Sequence, residues 1–317
     1  MRVLVTDADY PDRGDIERPI LEGAGFELSI AQCRTPEQVI QAGQDATVLM
    51  TQYAPITREV LKALPNVRLV IRYGVGVDNI DLKAAEELGV WVANVPDYGV
   101  SEVATHALGM ALALIRHLPS FDRQVHSGGW HYRETGAVHR PSTLTLGVIG
   151  HGRIGSRMAQ LGAPSFERVL ACDPYLSDSA FPDNVQRVDH DGLFRQSHVV
   201  SLHVPLTDET RQMVDRHRLA QMPRGSYLVN TARGPVLDLD AVLEALDNGH
   251  LAGAALDVLP QEPPPKGHPV LGHPRVLLTP HSAFYSVEAE EELRRKMAVN
   301  VVDWAQKGRP TYVVVEA

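Results

Sequence analysis

A chain of 317 residues, 44% of them hydrophobic, is long enough for two domains with ample cores. A formal charge of -9 with no basic run argues against a nucleic-acid or membrane surface. Cys33 and Cys172 lie far apart, show no metal-ligand spacing and suit a reducing compartment, so no metal site is expected. Met1 to Asp7 reads as a strand rather than a signal peptide, and no uncharged apolar run would span a bilayer; a cytoplasmic protein is expected.

Residues 1 to about 97 repeat a βα pattern. Strand-like runs sit at Arg2 to Thr6, Phe26 to Ile30, Ala46 to Met50, Val67 to Ile71 and Val90 to Ala93. Helical patterns lie between them, among them Pro36 to Ala42, Thr57 to Leu64 and Asp81 to Leu88, the last closed by Gly89. Alternation of this kind predicts a parallel sheet covered on both faces. The breaker cluster Asn94-Val-Pro-Asp-Tyr-Gly99 marks a domain crossing, and Ser101 is a good N-cap for a helix over Glu102 to His117. Pro119 to Thr143 shows little periodicity; its aromatics Trp130 and Tyr132 suit either an interface arm or a loop tucked on its own domain.

The chain is organised around Leu144 to Pro174. An uncharged strand-like run, Leu144 to Ile149, leads into Gly150-His-Gly-Arg-Ile-Gly155, a helix to Leu161, a second strand over Arg168 to Cys172, and Asp173. That order is the dinucleotide fingerprint in full context. Gly150 permits the tight turn, Gly152 lets backbone approach a pyrophosphate, and Gly155 lets the helix lie close on the strand. The helix N-terminus favours the anion. Asp173, 18 residues after Gly155, suits a ribose 2′-hydroxyl and would repel a 2′-phosphate, so NAD is expected and NADH is preferred over NADPH.

Four further strands end in polar clusters: Val199 to His203, Ser226 to Asn230, Gly253 to Leu256 and Val276 to Leu278. That edge is where open parallel sheets place chemistry. A nicotinamide enzyme needs a proton carrier and an anion clamp. His281, after Thr279-Pro280, offers an imidazole that can give and take a proton; Glu262 can fix its tautomer; Arg233 can hold a carboxylate bidentately. Taken singly, each is more often a turn, solvated or surface residue, and only their common location at strand ends joins them. Val287 to Lys307 reads as a long amphipathic helix stopped by Gly308, with Pro310 to Val315 as a last extended segment.

Gly-His-Gly-Arg-Ile-Gly, Asp173-Pro174, Leu202-His-Val-Pro-Leu-Thr, Asn230-Thr-Ala-Arg-Gly, Leu256-Asp-Val, Glu262-Pro263 and Thr279-Pro-His resemble, in order, the motif set of the D-isomer-specific 2-hydroxyacid dehydrogenases. Arg72-Tyr-Gly-Val-Gly-Val-Asp, Asn94-Val-Pro-Asp-Tyr-Gly and His281-Ser-Ala-Phe-Tyr-Ser look most like its C-terminal-binding-protein branch. The resemblance covers nearly the whole chain. It implies an α/β fold of two doubly wound parallel-sheet domains, a Rossmann NAD domain (99–286) inserted into a flavodoxin-like substrate domain (1–98 plus 287–317). It also implies a cleft that closes on the substrate, and a homodimer built through the NAD domains with an arm around 119–143.

By the same resemblance Arg233, Glu262 and His281 form the catalytic triad, and Arg72, Val75, Gly76 and Phe284 bind the substrate. Thr105, Gly150, Gly152, Arg153, Ile154, Gly155, Asp173, His203, Val204, Pro205, Thr210, Thr231, Ala232, Asp257 and Ala283 would line the cofactor, Asp257 at the nicotinamide amide. Phe284 departs from the tryptophan of the animal branch members, so their substrate preference does not transfer. Glu262 argues against the formate dehydrogenases, which use glutamine there. The expected activity is interconversion of a small 2-ketoacid and a D-2-hydroxyacid. The rivals are an NADH-sensing scaffold or corepressor and an oxidoreductase of a non-carboxylate anion such as phosphite.

Overall fold

The computed structural model describes residues 1–10 and 12–317, and contacts divide them into two compact units. Unit 1 is Met1–Gly99 with Ser286–Ala317, and unit 2 is Val100–Tyr285.

Unit 1 alternates β1 (Arg2–Val5), α1 (Glu17–Gly23), β2 (Glu27–Ile30), α2 (Pro36–Ala42), β3 (Val48–Thr51), α3 (Arg58–Ala63), β4 (Leu69–Arg72), α4 (Leu82–Glu87) and β5 (Trp91–Ala93). Unit 2 contributes α5 (Val100–Ile115), α6 (Leu118–His126), β6 (Thr145–Ile149), α7 (Arg153–Gly162), β7 (Arg168–Cys172), β8 (Val185–Arg187), α8 (His190–Gln196) and β9 (Val199–Leu202). It continues with α9 (Arg216–Gln221), β10 (Ser226–Asn230), α10 (Leu239–Asp247), β11 (Leu251–Leu256), α11 (Pro269–Gly272) and β12 (Val276–Leu278). The chain then returns to unit 1 as α12 (Val287–Lys307) and β13 (Val313–Val315).

The unit 1 sheet runs β13-β5-β4-β3-β1-β2, parallel except for β13, which pairs antiparallel with β5. Its parallel part has the flavodoxin order, reversing at β1/β3. The unit 2 sheet runs β12-β11-β10-β9-β6-β7-β8, all parallel, and reverses between β6 and β9. Both are doubly wound, as expected. Central strands such as β3, β6, β9 and β10 are buried along their whole length, which is why they read as uncharged runs rather than as alternation.

Helix starts follow local chemistry. Thr35 caps α2 in a reciprocal capping box with Gln38, and Pro36 follows. Asp81, Asp189, Asp215, Asp238 and Ser286 each accept an N–H in the first turn of α4, α8, α9, α10 and α12. Gly308, at φ 75°, ends α12 in the left-handed region.

Two expectations need correction. The long helix begins at Val100, so Ser101 lies inside its first turn rather than capping it. The stretch after Pro119 is not without structure: α6 opens with that proline in its first turn, where a missing N–H costs nothing, and none of its residues is buried. An amphipathic period is hard to see on a helix with no buried face.

Arg294 on α12 is 2% exposed. Its guanidinium donates to both carboxylate oxygens of Glu17 at 2.9 and 2.8 Å and to Asp12 twice at 2.6 Å, and lies 4.4 Å from the Tyr10 ring centroid. Burial disfavours that charge, but the two carboxylates outweigh it and hold the Arg294 pKa above its ordinary value. The same hydrogen bonds pull the Asp12 carboxyl down to about 2.

Candidate active site

The fingerprint behaves in unit 2 as its glycines require. Gly150 has φ 85°, and a Cβ there would lie 2.6 Å from the His203 carbonyl oxygen. A Cβ on Gly155 would meet the Gly150 oxygen at 1.8 Å, so α7 rests directly on the turn. Gly152 is the opposite case: nothing lies within 4 Å of the Cβ it lacks, which leaves open space at the N-terminus of α7, beside exposed Arg153. Ile154 is half-buried and packs on the core formed by α5 and the sheet. Asp173, ending β7, accepts the His151 N–H at 2.9 Å and the Tyr175 N–H at 3.1 Å, which fixes its carboxylate at the same sheet edge.

Across the reversal point stands the segment after β9. Ser201 Oγ and His203 Nε2 are 2.8 Å apart, while His203 Nδ1 is buried without a partner. Burial pushes the His203 imidazolium down to about 4, so the ring is neutral at ordinary pH. The Val204 side chain packs on the unit 2 core. Thr210 Oγ1 donates to the Pro205 carbonyl at 2.6 Å and accepts the Thr207 N–H at 2.8 Å; its hydroxyl closes this loop rather than projecting from it. After β10, Thr231 is buried with its hydroxyl unpartnered. Thr105, on α5, spends its hydroxyl on the Ser101 and Glu102 carbonyls of its own helix.

Arg233 is held by its own loop. Asn230 accepts the Ala232 N–H at 3.0 Å and donates to the Arg233 carbonyl at 2.9 Å, and Arg233 Nη1 donates to the Ala232 carbonyl at 2.8 Å. The next residue, Gly234, packs so closely that a Cβ would lie 2.0 Å from the Leu259 carbonyl carbon. That contact sets the Arg233 loop against the one that carries Glu262.

Glu262 Oε1 accepts the Leu259 N–H at 2.8 Å, and its Oε2 lies 2.7 Å from His281 Nδ1. Burial alone would raise the Glu262 pKa, but the His281 hydrogen bond, the Leu259 N–H and nearby Arg233 together hold it below the ordinary carboxylate value. His281 takes a left-handed backbone, φ 52°, with its N–H on the Asp257 carbonyl at 2.7 Å. Phe284 meets the His281 ring edge-on at 6.5 Å between centroids.

Asp257, 2% exposed at the end of β11, organises this turn. Its Oδ1 accepts from Thr279 Oγ1 at 2.5 Å and from the Ser282 N–H at 2.9 Å, and its Oδ2 from the Ala283 N–H at 3.0 Å. His106 Nε2 lies 3.0 Å from Thr279 Oγ1. Because Thr279 gives its proton to Asp257, that hydroxyl accepts from His106. Sequence reading passed over His106 and quoted Asn230 and Gly234 only within a motif. His106 acts on Thr279 and Gly234 on the backbone at Leu259, both distant in the chain, so no local pattern marks those contacts, whereas Asn230 ties the loop it begins.

Arg72, Val75 and Gly76 belong to unit 1. Arg72 ends β4, and a Cβ on Gly74 would lie 1.7 Å from its Nη1, so glycine there makes room for the guanidinium. The Val75 carbonyl accepts from Asn94 Nδ2 at 2.6 Å, and Gly76 follows in the same loop.

Residues 108–283 match the model for the D-isomer specific 2-hydroxyacid dehydrogenase NAD binding domain. A hydroxypyruvate reductase of Blautia hydrogenotrophica is 32% identical over 323 residues, covering 99% of this chain and 99% of that protein. A glyoxylate reductase of Korarchaeum cryptofilum is 35% identical, covering 99% of this chain and 95% of that one. The crystal structure of a D-lactate dehydrogenase from Aquifex aeolicus, complexed with NAD and lactic acid, superimposes with a TM-score of 0.88 at 29% identity, covering 99% of both chains. With a family model matched over more than half its length and relatives matched end to end, this chain belongs to the D-isomer-specific 2-hydroxyacid dehydrogenases.

Proposed function

We infer that this site runs as a 2-ketoacid reductase that prefers NADH, with Arg233, Glu262 and His281 as its working side chains. The activity itself, NAD-dependent interconversion of a 2-ketoacid and a D-2-hydroxyacid, is that of the family. The observation that carries the assignment of residues is the 2.7 Å pair between His281 Nδ1 and Glu262 Oε2, at the sheet edge that holds the fingerprint.

The open space over Gly152 and the orphaned hydroxyl of Thr231 fit a dinucleotide: the start of α7 would hold its pyrophosphate and Asp173 its ribose. When bound, the reduced cofactor supplies the hydrogen and electron pair that reduce C2 of the substrate. The chain's residues do the rest. Glu262, kept ionised, accepts the Nδ1–H of His281 and so leaves Nε2 as the nitrogen that gives its proton to the carbonyl oxygen. Arg233 holds the substrate carboxylate and polarises the carbonyl. Asp257, Ser282 and Ala283 keep the His281 turn in its left-handed form.

The relatives' activities favour small substrates, glyoxylate and hydroxypyruvate first, in a reducing direction. They do not favour the scaffold reading of the C-terminal-binding branch. The arm around 119–143, with Trp130 85% and Tyr132 69% exposed, supports a homodimer. NADH oxidation against glyoxylate, hydroxypyruvate, pyruvate and branched and aromatic ketoacids, with NADPH in parallel, tests the reading. Turnover on a small ketoacid with NADH preferred is expected. Tight NADH binding with no turnover on any member would return the scaffold to favour.

A further inference from the structure

The polar side chains that follow β11 and β12 do not stand alone: one residue reaches them from α5, in the same unit. That helix turns Ala104, Ala107, Met110 and Ala111 into the unit 2 core. His106, among them, keeps 27% of its side chain exposed. Its Nε2 lies 3.0 Å from Thr279 Oγ1 and 3.8 Å from Asp257 Oδ1. The second distance is too long for a hydrogen bond, so His106 reaches Asp257 through the Thr279 hydroxyl. Met110, one helical turn on, sets its sulfur 4.0 Å from the same hydroxyl.

A threonine hydroxyl has one proton and rotates to place it. Here that proton lies in the 2.5 Å bond to Asp257 Oδ1. The Nε2–H of His106 takes the acceptor side of the hydroxyl, which directs the O–H at Asp257. Asp257 passes the constraint on. It accepts the N–H groups of Ser282 and Ala283, the two residues after His281, while its carbonyl accepts the His281 N–H at 2.7 Å. His281 itself sits at φ 52°, a left-handed backbone that a non-glycine residue keeps only where its surroundings hold it. One chain of hydrogen bonds therefore runs from α5 through Thr279 and Asp257 to the strained turn.

We propose that His106 is a positioning residue for the reductase reaction: its Nε2–H, acting through the Thr279 hydroxyl and Asp257, holds the His281 ring where it delivers its proton. This role rests on His281 as the proton donor of the reaction. A reacting group displaced by about 1 Å can lose about 10² in rate. Loosening the far end of the chain therefore lowers kcat while the donor itself stays in place.

The test is steady-state kinetics of the full-length protein with NADH and the fastest ketoacid of the panel above. His106→Leu nearly keeps the side chain's volume and removes the donor; His106→Gln restores an N–H donor. His106→Leu should lower kcat about tenfold, with the ketoacid KM and the NADH Kd from fluorescence titration each changed by less than about twofold. His106→Gln should recover kcat to within about threefold of the wild type. In a Thr279→Val background the leucine substitution should have no further effect, because the chain is already cut. Thermal midpoints check that each variant folds, and His106→Ala serves in place of a leucine variant that does not. Near-normal kcat in His106→Leu, equal losses in the leucine and glutamine variants, or a loss that multiplies with that of Thr279→Val would overturn the proposal. His281→Ala, run in parallel, separates the two levels. Near-normal turnover there defeats the proton-donor assignment and this role with it; a full His281 effect beside a near-normal His106→Leu defeats this role alone.

Discussion

Asp7 stands just beyond β1 in unit 1, and Asp257 just beyond β11 in unit 2; they are 1% and 2% exposed. Each gathers the backbone of a loop from a neighbouring strand. Asp7 accepts the Gln52 N–H at 3.1 Å, the Tyr53 N–H at 2.7 Å and the Ala54 N–H at 3.1 Å, with the Thr6 hydroxyl at 2.8 Å. Asp257 accepts the Ser282 and Ala283 N–H groups and the Thr279 hydroxyl. The physical device is the same: a buried carboxylate satisfied by loop N–H groups at the C-terminal edge of a parallel sheet. The contents differ, since the gathered loop in unit 2 carries His281, which meets Glu262 of the loop that Asp257 itself begins. A buried aspartate at a strand end therefore marks an ordered loop, and the residue delivered by that loop decides whether chemistry follows.

The sharpest break in the comparison is His281→Ala. It should lower turnover by roughly 10²–10⁴ as a lost general acid, with NADH affinity nearly intact; steady-state kinetics beside fluorescence titration of NADH measure both, and near-normal turnover would remove His281 from its role. Next comes the matched pair of aspartates. Asp257→Ala should cut kcat by about 10² by releasing the His281 turn, whereas Asp7→Ala should cost about 3 kcal/mol of unit 1 stability through stranded N–H groups. Urea denaturation followed with kinetics of both variants shows whether the device separates into a catalytic and a structural form; equal effects on kcat would erase the distinction.

Smaller effects sharpen the picture. Asp173→Ala should narrow the NADH over NADPH preference by about tenfold, the effect of one lost charge and hydrogen bond, read as the ratio of kcat/KM values. Glu262 gives a pH signature. Its folded-state pKa is depressed, so its contribution to stability is full above the ordinary carboxylate value of about 4.3 and fades as pH falls through the lower folded value. Thermal midpoints of the wild type should therefore drop more steeply below that pH than those of Glu262→Gln, and parallel curves would refute the coupling.

Much of the fold was legible because buried parallel strands declare themselves as uncharged runs, and because Gly150 to Gly155 with Asp173 has one strong physical reading. The crossing near Asn94 showed as a breaker cluster, and α12 ran as read from Val287 to Lys307. The short helices were harder. The α1 helix carries Pro19 and Gly23, and α8 and α9 span seven and six residues, too few for a period to emerge. Of the site, the common location of Arg233, Glu262 and His281 was readable from strand ends. The pairing of Glu262 with His281 was read in role, while the 2.7 Å contact itself depends on how the loop over 257–262 folds back. Arg294 drew no reading from sequence; its burial rests on Asp12 and Glu17, more than 270 residues earlier, and no window along the chain joins them.

That separation has a consequence for synthesis. Glu17 emerges from the ribosome 277 residues before Arg294, a delay of roughly a quarter of a minute to a minute at ordinary elongation rates. Throughout it the first unit holds an acidic cluster without its cation, and β5 lacks the strand β13 that covers its edge. All of Val100–Tyr285 is made in the interval, so the inserted unit can reach its native form first. The half-built first unit, with an open strand edge and unmatched carboxylates, is the stage of biogenesis most exposed to wrong pairing and to chaperones.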